Sequence, residues 1–284
     1  MAVRRSVDRA ELAAALAVDR FYAAYAIGVL EDRSFARSDW TLAEGPDSGA
    51  PDPAGAPPLR AVGAVYRGYQ PSFGFLMGPS PLVREILADG LRPYQAYFSC
   101  RPSHLDEVRA FYETGAEELM IRMRITVETF RPVHEDGPRQ PVRLASYQVG
   151  TLNRLYARGV GSILTKALMD EGIYYGVFAG AELAAVAGTH FIAPTYGIAA
   201  VGNVFTHPSH RGRGLAKTCT SAVTAALLKH CPDVVLNVHA DNEPARWVYR
   251  RLGFQDHCPF VEVLGTRRET SSLRSLISRV FGAN

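Results

Sequence analysis

Lysine is almost missing from this 284-residue chain: Lys166, Lys217 and Lys229 are its full complement. Arginine supplies the rest of the positive charge, yet the net charge is only +3. A balance that small excludes a dedicated DNA-coating protein, although arginine's planar fork suits contacts to phosphate. Cysteine is scarce as well. Cys100, Cys219, Cys231 and Cys258 contain no C-x-x-C pair, which argues against a disulfide framework or a structural zinc site and for a reducing, cytoplasmic setting. No metal is expected. A signal peptide is not expected either, because Glu11, Asp19 and Arg20 interrupt the alanine-rich stretch that follows Arg4 and Arg5. Asp, Glu, Lys and Arg are all absent from Leu183 to Ser209, long enough to cross a bilayer. Pro194-Thr195-Tyr196-Gly197 sits in the middle of that run like a turn. Two buried strands joined there are expected instead of a membrane helix.

What is present is ordinary globular composition, 47% hydrophobic and 21% charged, which excludes a disordered or collagen-like chain. The length points to two domains. Asp8-Arg-Ala-Glu11 has helix-cap spacing, and a second apolar helical stretch runs from Arg20 to Leu30. Five prolines mark residues 43–58 as a surface loop. Strands are expected at 61–69, 73–77, 95–100 and 118–128, with helices at 81–89 and 104–114. The proline-rich, charged stretch Arg131 to Pro141 makes the best boundary. Beyond it, a strand at 142–145 leads to helices near 147–157 and 160–170. Strands at 173–179, 183–192 and 197–206 precede a loop and a helix reaching His230. A strand at 234–240, a helix at 243–252 and a strand at 254–263 follow. Mixing of this kind implies an α+β fold on a largely antiparallel sheet. Residues 270–282 read as a terminal amphipathic helix.

Chemistry concentrates between Val201 and Ala216, Val-Gly-Asn-Val-Phe-Thr-His-Pro-Ser-His-Arg-Gly-Arg-Gly-Leu-Ala. An apolar strand stops at Pro208, and a glycine-rich loop then opens a helix. Unpaired N–H groups and the positive helix end make an anion site there, and two arginines favour phosphate or pyrophosphate. The loop matches neither a Walker P-loop nor a G-x-G-x-x-G dinucleotide site. Arg211-x-x-Gly214-x-Ala216 does match the [QR]-x-x-G-x-[GA] motif of the GNAT superfamily of acyl-CoA-dependent N-acyltransferases. Farther along, Asn242-Glu-Pro-Ala-Arg-Trp-Val-Tyr249-Arg-Arg-Leu-Gly253-Phe254 resembles the superfamily's N-x-x-A-x-x-x-Y-x-x-x-G-F segment. The resemblance covers roughly residues 140–264. It implies acetyl-CoA as co-substrate, with the strand Val204-Phe205-Thr206 holding pantetheine through backbone groups. Arg211, Gly212, Arg213, Gly214, Leu215 and Ala216 would hold the pyrophosphate. It implies a coenzyme contact at Asn242 and, at Tyr249, the general acid that protonates the leaving thiolate.

One departure stands out. Many members carry a glutamate base on the strand before the loop, whereas residues 197–206 contain no carboxylate. Asn203 cannot accept a proton at neutral pH. His190, His207 and His239 are the substitutes with suitable chemistry, each also readable as a structural histidine, and the base stays unassigned. Trp247, Leu252 and Phe254 read as core residues. Arg211-Gly-Arg213 lacks the flanking aromatics and further basic clustering of a nucleic-acid stripe.

The first half echoes the second. Gly74-Phe-Leu-Met-Gly-Pro79-Ser80 parallels Gly202-Asn-Val-Phe-Thr-His-Pro208-Ser209 without the arginine–glycine loop. The expectation is a tandem pair like that of mycothiol synthase-like enzymes. A degenerate GNAT-like domain would occupy 1–135, a GNAT N-acetyltransferase domain 140–264, and a helical tail 265–284. The function implied is transfer of an acetyl group to a small-molecule primary amine, with no nucleic-acid or membrane partner and a homodimer left open. A non-catalytic acyl-CoA sensor and a protein-modifying acetyltransferase are the alternatives.

Overall fold

A computed structural model describes residues 2–45, 60–133, 137–159 and 164–268. Most of the proline-rich loop, the start of the helix expected at 160–170 and the terminal helix expected at 270–282 lie outside the described residues. The fold is α+β, with its chain divided between two compact units.

The first unit contains residues 33–118 together with 2–15 and 260–268. Its strands are β1 (Ala2–Arg5), β2 (Ser38–Glu44), β3 (Arg60–Tyr66), β4 (Ser72–Met77), β5 (Gln95–Cys100) and part of β12 (Gln255–Arg267), adjacent in the order β1-β2-β3-β4-β5-β12. All pairs are antiparallel except β4 with β5. Helices α1 (Arg9–Leu16), α3 (Asp32–Phe35), α4 (Ser80–Glu85) and α5 (Leu105–Phe111) complete it. Asp8 caps α1 as its spacing predicts, its carboxylate accepting from the N–H groups of Ala10 and Glu11 at 2.9 and 3.1 Å. The core gathers Leu76, Val83, Ile86, Phe98, Val108, Tyr112 and Val263. The helix expected over 104–114 stops at Phe111, and the next strand begins at once. Burial of Tyr112 edge-on to the Phe98 ring, 4.8 Å between centroids, outweighs the helical period there.

The second unit contains residues 16–32 and 119–259. Its sheet order is β6 (Tyr112–Thr126), β11 (Asp233–His239), β10 (Ile198–Thr206), β9 (Glu182–Ala193), β8 (Tyr175–Ala179), β7 (Val142–Arg143). Only β10 and β11 run parallel among its registered pairs. Its helices are α2 (Ala24–Val29), α6 (Val149–Tyr156), α7 (Lys166–Glu171), α8 (Leu215–Leu227) and α9 (Glu243–Arg251). The charge-free run resolves into β9 and β10, joined by a turn at Pro194–Tyr196 and a left-handed Gly197. No helix among the described residues is long and apolar enough to cross a membrane. Helices α8 and α9 pack on one core with Met123, Val201, Leu236 and Phe254, while α6 packs on another with Tyr174, Leu183 and Val186.

The units are not contiguous stretches of chain. A single cut near Arg131–Pro141 would leave residues 16–32 with the first half, yet they pack in the second unit. Almost every residue from Tyr22 to Leu30 is buried, and a Cβ on Gly28 would stand 2.7 Å from the Phe191 ring of β9. Arg20 fastens the segment by donating to the Asp233 carboxylate at 2.8 Å and to the Tyr196 carbonyl at 2.9 Å. A helix this apolar on all sides needs sheet on one side and cover on the other.

Candidate functional site

The parallel ladder between β10 and β11 ends at the pair Val201–Leu236. Beyond it β10 continues to Thr206 along β9 alone, with register shifts after Ala200 and Gly202. The second shift is a bulge at Asn203, a non-glycine residue at φ +54°. Three groups hold that unfavourable conformation. The Tyr156 hydroxyl donates to the Asn203 carbonyl at 2.6 Å, and the Asn203 amide donates to the Thr189 carbonyl at 3.1 Å and the Tyr174 oxygen at 3.3 Å. Burial pushes the Tyr156 hydroxyl's pKa up, so it stays a donor. Past the bulge, Val204 faces the α8–α9 core and Phe205 the α6 core, edge-on to Tyr156. Thr206 has a buried hydroxyl with no partner among the described residues. The two strands therefore part where the backbone of Val204 to Thr206 is left without a strand on its β11 side.

The loop after β10 is shaped for an anion. Gly212 and Gly214 have φ of +76° and +78°, and no atom lies within 4 Å of a Cβ built on either. Only residues without a side chain take that conformation cheaply. Gly214 is the N-cap of α8, and no described carbonyl receives the N–H groups of Gly212 to Lys217. They face open space with the positive helix end behind them. Arg211 and Arg213 are exposed beside them. Arg211 reaches back to the Thr206 carbonyl, Nε to oxygen 3.5 Å. Leu215 anchors the helix start in the core, and Ala216 leaves the cradle uncrowded. The open glycines and the undirected N–H groups suit an anionic group.

Tyr249 is buried in the core that also holds Val204, Leu215 and Val238. Burial raises its hydroxyl to about 12, which keeps the proton on at neutral pH. Asn242 is the N-cap of α9, its Oδ1 accepting from the Ala245 N–H at 3.2 Å. Leu252 and Phe254 are core residues, but Trp247 is not. Positions 245, 248, 249 and 252 form the inward stripe of α9, which turns Trp247 to solvent beneath the Arg251 guanidinium, 4.5 Å from its centroid.

Of the three histidines, His190 alone stands over the fork. A Cβ on Gly202 would lie 2.2 Å from its Nε2, so the missing side chain is what lets the ring lie on β10. Its Nδ1 shares a 2.6 Å hydrogen bond with the Tyr25 hydroxyl, and the Arg122 guanidinium lies 4.6 Å from the Tyr25 centroid. His190 is exposed, yet desolvation of its ring by the surrounding side chains, then the Arg122 charge, lower its pKa to about 4. His207 is turned away, its Nδ1 2.7 Å from the Ser209 hydroxyl and its Nε2 3.7 Å from Glu182. His239 is exposed and bonded to Asp241 at 2.5 Å. Tyr25 is the site residue that sequence reasoning missed, because nothing local ties it to a histidine on a strand so much later in the chain. All four cysteines are buried and free, and burial raises the Cys100 and Cys219 thiols to about 12, so they remain inert.

Residues 174–261 match the FR47-like protein family. No curated protein is significantly similar in sequence. Among solved structures, the chain is similar to a tandem GNAT protein from the clavulanic acid biosynthesis pathway, with 13% identity, 95% of this chain and 100% of that one covered, and a TM-score of 0.56. A GCN5-related N-acetyltransferase from Sphaerobacter thermophilus is similar at 15% identity over 95% of this chain and 96% of that one, with the same TM-score of 0.56. A Drosophila protein superposes with a TM-score of 0.66 at 14% identity, covering 93% of this chain and 98% of that one. Over nearly its whole length, the chain has the fold of the tandem GNAT acetyltransferases.

Proposed function

We propose that this chain is an acetyl-CoA-dependent N-acetyltransferase acting on a primary amine of a small molecule. One observation carries the reading: a strand fork at Val201–Leu236 that runs straight into an open, arginine-flanked N–H cradle. Pantetheine would lie along Val204 to Thr206 as an added strand, and the pyrophosphate would take the N–H groups of Arg211 to Ala216. Asn242, as the cap of α9, would face the coenzyme with its remaining amide hydrogens.

The chemistry is direct. The amine nitrogen attacks the thioester carbonyl, a C–N bond forms, and the C–S bond breaks to release thiolate. Tyr249, protonated well above neutral pH, supplies the proton that the thiolate takes up. The amine must shed one proton. His190 is neutral at pH 7 and lies at the fork, so it is our candidate acceptor, with Tyr25 fixing its ring. A carboxylate on β10 is thereby not required.

Incubation with radiolabelled acetyl-CoA and an amine panel tests the reading. Labelled small amine is the expected product. Coenzyme binding without turnover would replace the enzyme by an acyl-CoA sensor, and label confined to lysate proteins would make it a protein-modifying acetyltransferase.

A further inference from the structure

Behind the end of β10, on the α6 side, lies a cavity of about 310 Å³ whose walls the proposed chemistry does not use. Its cationic wall is Arg154 and Arg158 on and just past α6, facing His207. Leu155 and Leu183, both nearly inaccessible, form an apolar floor. Arg154 is oriented by donating from Nη2 to the Thr151 hydroxyl at 2.9 Å, and the guanidinium of Arg158 has no partner among the described residues. An acid, Glu182, also lines the cavity but is not paired with either arginine. It stands between two histidines, 3.7 Å from His207 Nε2 and 3.9 Å from His210 Nε2.

Resting on the coenzyme reading for its location but not for its chemistry, we infer that Arg154, Arg158 and His207 form a separate oxyanion site for a phosphate monoester. Two guanidinium forks and an imidazole on one wall exceed what a carboxylate needs and match a dianion with three oxygens. The His207 ring is held by its 2.7 Å contact with the Ser209 hydroxyl, while Glu182, near both His207 and His210, keeps the wall from being uniformly cationic. The apolar floor takes the carbon skeleton that carries the phosphate. His207 directly follows Thr206, so the site opens where a chain lying along β10 would leave the fork. Two sources offer this chemistry: the 3′-phosphate of coenzyme A, or a second phosphorylated ligand.

Calorimetry with coenzyme A, dephospho-coenzyme A and inorganic phosphate separates them, on the full chain and on R154Q/R158Q. Both arginines are exposed, so the variant should keep its melting temperature. If the coenzyme is the source, wild type prefers coenzyme A over the dephospho form by about tenfold and the variant loses that preference. If a second ligand is the source, wild type binds both coenzymes equally, binds inorganic phosphate at millimolar levels, and the variant loses the phosphate. Phosphate binding that the variant abolishes, with no binding of either coenzyme, would keep this site and overturn the coenzyme reading. Wild type and variant that respond alike to all three probes overturn the site.

Discussion

Each unit contains an antiparallel strand, a parallel neighbour and a helix that starts between them, and the two junctions differ in one residue and one loop. In the first unit β4 pairs regularly with β3 and passes through Gly78 into α4. In the second, β10 bulges at Asn203 and passes through Arg211 to Gly214 into α8. The sequence shows the extra residue: Gly74 to Pro79 spans one position fewer than Gly202 to Pro208. The closed junction is also filled. A Cβ on Gly78 would stand 2.6 Å from the Arg60 carbonyl, and buried His104 donates from Nε2 to the Gly78 carbonyl at 2.8 Å. The ring of Phe98 lies against Gly74, 2.7 Å from where its Cβ would be. A strand without a bulge, followed by a single packed glycine, forms no open glycine loop for an anion. The comparison teaches that a cradle needs both the inserted residue that frees the strand and glycines with nothing beside them.

The largest expected effect separates the chemistry of the open junction from its packing. Tyr249→Phe should lower kcat by ~10²–10⁴-fold while coenzyme affinity stays within a few fold. A core role alone would instead lower the melting temperature and leave turnover near wild type, so both are measured on one preparation.

Gly214→Val comes next. It removes the left-handed turn and crowds the cradle, weakening coenzyme A binding by about 2 kcal/mol or more. Gly137→Val, also at positive φ and in open space, controls for strain and should leave affinity unchanged. The same calorimetry should return one coenzyme per chain. Two sites would erase the distinction between the junctions.

Tyr156→Phe sharpens the role of the bulge. Without the hydroxyl, the Asn203 carbonyl loses its 2.6 Å partner, and stability should fall by ~1 kcal/mol in denaturant titration. Turnover should fall further than Tyr112→Phe lowers it, since Tyr112 packs in the first unit.

The smallest effect is on pH. His190 has a folded pKa of about 4, below its ordinary value near 6.5, so the unfolded chain binds more protons between those values. Stability should therefore decline as pH falls from about 6.5 toward 4, and His190→Gln should flatten that slope. If His190 accepts the amine proton, the acidic limb of kcat/KM lies near 4 and disappears in the same variant.

The cradle was legible in the sequence because its determinants are local: Pro208 ends a strand, two glycines supply positive φ, and two arginines flank them within a few residues. The strands around it were legible by period, β9 and β10 included. What escaped was set by distant contacts. Tyr25 meets His190 through tertiary packing, and no pattern near either residue announces it. Strands β1 and β2 carry no clear alternation and form because each finds an antiparallel partner. Trp247 misled by its type, since a large aromatic suggests core, whereas helical phase decided its direction.

The interleaving of the chain also governs the order in which it can fold. A ribosome delivers residues 33–118 well before the strand that pairs with β5, from Val261 to Thr266. Until then β5 presents an open edge of unpaired N–H and C=O groups, a template for pairing with other chains. Residues 16–32 likewise wait for β9 and β10 before Tyr22 to Leu30 have anything to bury against. Each unit is completed by a segment distant along the chain. A nascent chain therefore holds two unfinished sheets until those distant segments have been made.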